Sequence, residues 1–202
     1  VKKDIQLNLF GDIDDGAMHE NRAKDTARIP NFVTAGVPVG EKGFTKIVRI
    51  SKGLNILTDH VAYDFNKTVT DASVTVWVLL LKIYTDTNLD AIMKLKGTDI
   101  DPIMFSKQHI GSFNLKEISE RIYGKKVKNK RILDLLSAIA DIKIKIVREG
   151  REIGFMRFIN NAVILDDRKT IQVGFSSAML HILSQQMRLM NMDKFLSLRP
   201  SA

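Results

Sequence analysis

The four histidines are the first side chains to consider for catalysis, because imidazole binds metal ions and transfers protons near neutral pH. They are His19, His60, His109 and His181. None of them shows the His-x-His, HExxH or i,i+4 spacing that places two ring nitrogens on one metal ion. The chain also has no cysteine to supply a thiolate ligand or nucleophile. The sequence therefore predicts no metal site, no cofactor and no enzymatic activity.

An apolar cluster near the N-terminus has the residue types of a binding peptide. It reads Gln6-Leu7-Asn8-Leu9-Phe10 and lies in a polar, acidic stretch with no core of its own to join. Burial of Leu7, Leu9 and Phe10 then requires a groove on a partner, and the amide of Gln6 can both donate and accept hydrogen bonds there. The spacing resembles the pentapeptide with which bacterial replication proteins bind the sliding clamp. The alternative is an N-terminal strand that pairs with the domain.

Positive charge is concentrated in one segment of the chain, whose net charge is +8. Residues 121–151 contain ten basic and three acidic side chains, whereas residues 1–30 contain five basic and six acidic ones. Such a basic segment favours a polyanionic partner, in particular nucleic acid. Its basic residues and the neighbouring asparagine form two groups of candidate DNA contacts: Lys125, Lys126, Lys128, Asn129, Lys130 and Arg131, and then Lys143, Lys145, Arg148 and Arg151.

The overall composition limits the class of protein. With 202 residues, of which 45% are hydrophobic and 27% are charged, the chain can bury one or two ordinary cores. No stretch reaches the roughly 18 uncharged apolar residues of a membrane span. The absence of cysteine and of a secretory signal predicts a protein of the reducing cytoplasm, without membrane partners.

The N-terminal half is expected to contain a leader, two strands and a helix. Residues 12–43 are rich in Asp, Gly, Asn and Pro without periodicity, which predicts a flexible leader. Two runs rich in Ile and Val, 45–51 and 54–58, predict strands joined by a turn at Lys52-Gly53. Residues 71–86 are apolar and begin with Asp71 as a potential N-cap, which favours a buried helix over a strand.

The next segment has the pattern of two further helices followed by a hairpin. Asn114 and Glu117 resemble a capping box, and Gly124 is a typical C-terminal stop. A third helix follows, with apolar residues at 132, 135, 136 and 139. Isoleucines at 142, 144 and 146 alternate with lysines, which predicts a strand before the turn at 148–151. Further strands are expected at 153–159, 162–165 and 170–175, and helices at 177–198.

This order of elements predicts an α+β fold, namely a winged-helix domain with three helices, a β-hairpin wing and extra N-terminal strands. The first basic group, at 125–131, lies at the start of the recognition helix, and the second, at 143–151, lies in the wing. The predicted parts are a flexible leader at 1–43, the winged-helix domain at 44–176 and a C-terminal helical segment at 177–202. The alternative is that the basic side chains form a solvated face, or that the domain serves dimerisation.

The chain resembles the TrfA-type plasmid replication initiators. The resemblance rests on the pentapeptide Gln6 to Phe10, on Asp25-Thr26-Ala27-Arg28, and on the strand pair at 46–58 before a helix that carries Trp77. It implies that Gln6, Leu7, Leu9 and Phe10 bind the sliding clamp, while winged-helix domains bind double-stranded origin DNA. Host initiator and replicative helicase are further implied partners, and a homodimer is the implied alternative use of the first domain.

The resemblance also implies that a second winged helix is missing or truncated. The C-terminal sequence Phe195-Leu196-Ser197-Leu198-Arg199-Pro200-Ser201-Ala202 is similar to the segment that opens this second domain in the family. Two other function classes remain as alternatives. The first is a winged-helix transcription regulator without a clamp role, and the second is an enzyme that cleaves or nicks DNA.

Overall fold

The computed structural model describes residues 10–11, 26–34, 36–54, 58–96, 108–185 and 187–197. Within these ranges the chain forms a mixed α+β structure with six helices and three antiparallel sheets, which confirms the α+β class. The helices are α1 (Asn31–Thr34), α2 (Asp71–Met93), α3 (Leu115–Tyr123), α4 (Asn129–Ala140), α5 (Ser177–Gln185) and α6 (Met192–Ser197).

Ten strands form the three sheets of the described residues. The sheet orders are β1-β10-β2, β3-β4-β6-β7 and β5-β9-β8. The strands are β1 (Phe10–Gly11), β2 (Thr26–Pro30), β3 (Thr45–Leu54), β4 (Thr58–Asp64), β5 (Gln108–Asn114), β6 (Lys143–Arg148), β7 (Arg151–Met156), β8 (Ile159–Ile164), β9 (Thr170–Ser176) and β10 (Met187–Asn191).

Helix α2 lies in the centre of the core. Residues 74–81 are all buried, so the apolar run that is ambiguous in the sequence is a helix covered on every side. The N-cap is Thr70 rather than the expected Asp71, because the hydroxyl of Thr70 accepts a hydrogen bond from the backbone N–H of Ser73 at 3.3 Å. The core around α2 therefore organises the elements that carry the basic residues.

An aromatic group joins α2 to the sheets. The rings of Trp77 and Phe158 lie 4.5 Å apart, and the ring of Phe158 also lies 5.9 Å from that of Tyr63 and 6.3 Å from that of Phe32. Such tilted and offset arrangements suit the charge distribution of aromatic rings. The expected role of Trp77 as a core residue is confirmed.

The leader predicted for residues 1–43 is wrong for residues 26–34. Strand β2 pairs with β10, and the side chains of Ala27, Ile29 and Phe32 are buried. Arg28 on the same strand is 1% exposed and donates a hydrogen bond to the carboxylate of Asp86 at 2.8 Å. The sequence gives no periodic pattern here because the strand is short and one of its buried residues is charged. The carboxylate of Asp86, which makes the burial of Arg28 favourable, lies far along the chain.

The strand predicted at 45–51 is confirmed as part of β3, but the strand predicted at 54–58 is wrong, because the second strand is β4 at Thr58–Asp64. Strand β3 continues through Lys52-Gly53 to Leu54, and its register against β4 shifts between Arg49 and Leu54. An irregularity of this kind accommodates a glycine within a strand instead of at a turn.

The hairpin β6–β7 forms as predicted. It belongs to the sheet of β3 and β4, and not to the sheet that contains β5, the strand directly before α3. Its two-residue turn has positive φ at Glu149 and Gly150, the geometry of a type I′ turn. Strand β6 pairs with β4, whereas the strand that precedes α3, β5, pairs with β9. The hairpin next to the helices is thus β8–β9, with its turn at residues 165–169.

The C-terminal segment is not entirely helical, which corrects the expectation for 177–202. Helix α5 is followed by β10, which lies between β1 and β2, and then by α6. Strand β10 contains Met187 and Met190, which pack in the core cluster with Met192. The methionines of this segment therefore pack in the core from a strand as well as from a helix.

Candidate nucleic-acid interface

Helices α3 and α4 form a helix–turn–helix unit. The side chain of Asn114 caps α3 by accepting hydrogen bonds from the N–H groups of Lys116 and Glu117. Gly124 ends α3 in the left-handed region at φ 66°, which a residue without Cβ adopts readily. Buried Ile118 and Ile132 anchor the two helices to the core. The turn and the first turn of α4 remain on the surface.

Five cations surround the start of α4, and we call them the α4 cluster: Lys125, Lys126, Lys128, Lys130 and Arg131. All five are exposed, and none forms an ion pair with a residue that the structure describes. The guanidinium of Arg131 stacks over the ring of Tyr123 at 5.0 Å, which keeps its charged end at the surface. The cluster is a positively charged surface without internal compensation.

The backbone of α4 adds to this positive potential. Its first turn contains no acidic residue, and Lys128 at the N-cap makes no side-chain capping hydrogen bond. The positive end of the helix dipole is therefore uncompensated at the position where the lysines lie. A groove of about 390 Å³ adjoins this helix, and its polar lining consists of three cations, three hydroxyls and one carboxylate: Lys128, Lys130, Arg131, Thr68, Thr70, Ser73 and Asp134. Hydroxyls and cations of this kind are typical contacts of nucleic-acid phosphates.

The turn between β8 and β9 lies against the start of both helices. The side-chain amide of Asn129 donates to the backbone carbonyl of Arg168 at 2.6 Å, and the N–H of Leu115 donates to the carbonyl of Lys169 at 2.8 Å. Arg168 and Lys169 are exposed and extend the cationic surface. The sequence analysis missed them, although the polar turn between two strand patterns could have indicated an exposed β-hairpin there.

Asp167 organises that turn. Its carboxylate accepts hydrogen bonds from the N–H groups of Lys169 and Thr170 and from the hydroxyl of Thr170. These hydrogen bonds hold the pKa of Asp167 below its usual value, the largest contribution coming from the hydroxyl of Thr170. The carboxylate of Asp167 therefore holds the turn in its conformation through hydrogen bonds to Thr170, which begins β9, and to Lys169, which precedes it.

The structure brings Asn129 together with the five cations of the α4 cluster. The other four predicted DNA contacts lie on the hairpin β6–β7. Strand β6 begins after the C-terminus of α4, and no described hydrogen bond or ion pair joins Lys143, Lys145, Arg148 or Arg151 to the start of that helix. Lys143 binds Glu152 at 2.8 Å, and Lys145 binds Asp64 and Glu152. The prediction of a wing at 143–151 beside the recognition helix is wrong, because β6 pairs with β4 and the hairpin is part of that sheet.

The two lysines of β6 form ion pairs with neighbouring carboxylates. The hydrogen bond to Asp64 raises the pKa of Lys145. Partial burial acts to raise the pKa of Asp64, but hydrogen bonds from Lys145 and Thr45 outweigh it and hold that pKa below its usual value. The hydrogen bond from Lys143 likewise lowers the pKa of Glu152. The positive charges of β6 are therefore largely compensated by neighbouring carboxylates.

The predicted clamp peptide lies mostly outside the described residues. Gln6, Leu7 and Leu9 are not described, while the backbone of Phe10 belongs to β1 and pairs with Met190 of β10. This pairing is the geometry of the alternative prediction, an N-terminal strand that joins the domain. It fixes the backbone at the last residue of the pentapeptide.

The described residues contain no cluster of side chains that could hold a metal ion. Within them, no three His, Cys, Asp or Glu side chains converge on a possible metal ion. Of the described histidines, His60 lies in β4, His109 in β5 and buried His181 in α5, while His19 is outside the described ranges. Partial burial lowers the pKa of His109. None of the helices in these ranges has the length and apolarity required to cross a membrane.

Comparison of the chain with protein-family models, with curated proteins and with solved structures finds no match.

Proposed function

We propose that this chain binds duplex DNA with the α4 cluster and acts as a plasmid replication initiator of the TrfA type. The observation that carries the proposal is the set of five exposed cations at the uncompensated N-terminus of α4, beside a turn that adds Arg168 and Lys169. Helix N-termini and lysines in this arrangement bind phosphate groups.

The order of the elements supports a winged helix. Helix α2, strand β5, helices α3 and α4 and the hairpin β8–β9 follow one another, and β5 pairs with β9 in one three-stranded sheet. In this assignment α4 is the recognition helix and the turn at 165–169 is the wing. The hairpin β6–β7 is an insertion between the recognition helix and the first wing strand.

Sequence-independent binding to duplex DNA tests the first part of the proposal. If all five cations of the α4 cluster contact phosphates, the logarithm of the association constant falls against the logarithm of salt concentration with a slope of about −4.5. The measurement is fluorescence anisotropy with a labelled duplex over a series of salt concentrations. A chain that does not bind duplex DNA at low salt would contradict the proposal.

Clamp binding tests the initiator role. Replacing Leu9 and Phe10 together with alanine removes two apolar anchors, and we expect retention on an immobilised bacterial sliding clamp to fall at least tenfold. A duplex-binding assay on the same variant is the control, because the α4 cluster is unchanged. Unchanged retention of the double variant would remove the clamp role.

The pairing of β1 favours one alternative function, a winged-helix transcription regulator. In that case the backbone of Phe10 is part of a structural strand, as the register with Met190 allows, and the resemblance of the pentapeptide to a clamp motif is accidental. A chain that binds DNA but leaves the clamp unbound would support the regulator.

A further inference from the structure

Strand β7 forms one edge of the sheet that contains β3, β4 and β6. This strand ends the order β3-β4-β6-β7, and in the described part of the chain it pairs with β6 alone. In an antiparallel pair, alternate residues direct their backbone N–H and C=O groups away from the neighbouring strand. Strand β7 therefore presents a row of backbone donors and acceptors that a further strand could bind.

An apolar groove adjoins this edge. Its volume is about 550 Å³, within the range of protein ligand sites. Ile146 and Met156 are buried in its lining, while Ile153 and Phe155 remain 48% and 52% exposed at its rim. A Cβ built on Gly154 would meet no heavy atom within 4 Å, so the face of the strand is open at this residue. Edge and groove together have the form of a site for an extended peptide.

The charges around the edge indicate which peptide fits. Arg151 begins the strand and Arg157 follows its end, so arginines flank the apolar pair Ile153 and Phe155. The nearby carboxylate of Glu152 is already bound by Lys143 and Lys145. Arg151 is exposed and forms no ion pair with a described residue, whereas the guanidinium of half-buried Arg157 donates a hydrogen bond to the backbone carbonyl of Ala140. The edge therefore carries an exposed positive charge at the start of the strand, which complements a peptide with an acidic residue beside an apolar centre.

The same charges disfavour pairing of two copies of this edge. An antiparallel pair of β7 strands related by a two-fold axis at Gly154 would place Arg151 of one copy opposite Arg157 of the other. Like charges directly opposite each other destabilise a strand pair. An acidic peptide avoids this repulsion, so it fits the edge better than a second copy.

We propose that β7 binds an extended peptide as a fifth strand, with alternate apolar side chains in the groove and an acidic side chain near Arg151. The peptide contributes backbone hydrogen bonds along the edge, and its apolar residues cover Ile153 and Phe155. This site is separate from the α4 cluster and does not depend on the proposed function in DNA replication.

The test begins with a phage library of random nonapeptides selected on the full chain. We expect the enriched peptides to combine alternating apolar residues with flanking Asp or Glu. A synthetic enriched peptide is then titrated by fluorescence anisotropy against the wild type, Phe155→Asp, Arg151→Glu and Val163→Asp. Val163 is 55% exposed on β8 and gives a matched control for an acidic residue at an exposed apolar position.

We expect Phe155→Asp and Arg151→Glu each to weaken peptide binding at least tenfold, and Val163→Asp to leave it within twofold. Circular dichroism of each variant verifies the fold, and Arg151→Glu keeps the test decisive if Phe155→Asp does not fold. Three results would overturn the proposal. These are no enrichment on the wild type, enriched peptides that bind all variants equally, and a dimer of the chain that Phe155→Asp converts to a monomer.

Discussion

Replacing Lys128 and Arg131 together with alanine is expected to weaken binding to duplex DNA by about 30-fold, or about 2 kcal/mol, at moderate salt. Both side chains are exposed at the start of α4, and neither has an acidic partner among the described residues. Because two phosphate contacts are lost, the salt slope should become less steep by about 2. The loss should be similar for every DNA sequence, since phosphate contacts carry no sequence information.

Arg148→Ala with Arg151→Ala is the matched control for this experiment. It removes the same charge from the exposed turn of the hairpin β6–β7, which the structure separates from the start of α4. We expect this variant to lose no more than about threefold in affinity, through the general field of the protein alone. Equal losses in the two double variants would show that net charge, and not the α4 cluster, determines DNA binding.

Replacing Asp86 with alanine is expected to lower the free energy of unfolding by about 3 kcal/mol. The carboxylate of Asp86 receives hydrogen bonds from Arg28 at 2.8 Å and from Lys82 at 2.7 Å. The side chains of these two cations are 1% and 8% exposed, respectively. Without the carboxylate, two neighbouring positive charges lie buried and repel each other. Urea unfolding followed by circular dichroism measures the change.

An exposed ion pair provides the comparison for Asp86→Ala. The side chains of Lys116 and Glu120 approach to 3.8 Å on the surface of α3, and both are at least half exposed. Glu120→Ala should therefore cost no more than about 0.5 kcal/mol. If Asp86→Ala is as mild as Glu120→Ala, the buried charges must be compensated by some group other than this carboxylate.

The sequence predicts the helix–turn–helix unit well because its signals are local. The cap at Asn114, the stop at Gly124 and the apolar spacing around Ile132 all lie within the residues that they organise. The α4 cluster follows from the same short segment. Its exposure is predictable too, since charged residues without partners remain in water.

The sheet to which the hairpin β6–β7 belongs could not be predicted in the same way. The alternation at 142–146 correctly indicates a strand, but it does not specify which strand is its neighbour. Strand β4 pairs with β6 although the two strands lie far apart in the sequence, and Lys145 of β6 forms an ion pair with Asp64 of β4. A basic hairpin directly after the third helix therefore resembles a wing in sequence, although the actual neighbour of the helices is β8–β9.

The error in the leader has a different physical cause. Strand β2 is five residues long, ends in Pro30 and includes a buried Arg28. When only the neighbouring residues are considered, each of these features is typical of a loop or of the protein surface. The burial becomes favourable through Asp86, which is not adjacent in sequence, and through the cover that β10 provides.

The position of β10 bears on how the protein is made. This strand, near the C-terminus, lies between two strands from the N-terminal part of the chain. During synthesis on the ribosome, Thr26–Pro30 emerges early and must wait for Met187–Asn191, while the elements in between can already assemble. Because the loop between these two strands is long and closes late, we expect completion of the core to be a slow step of folding. A nascent chain interrupted before Met187 would expose the apolar face of β2 to chaperones and proteases.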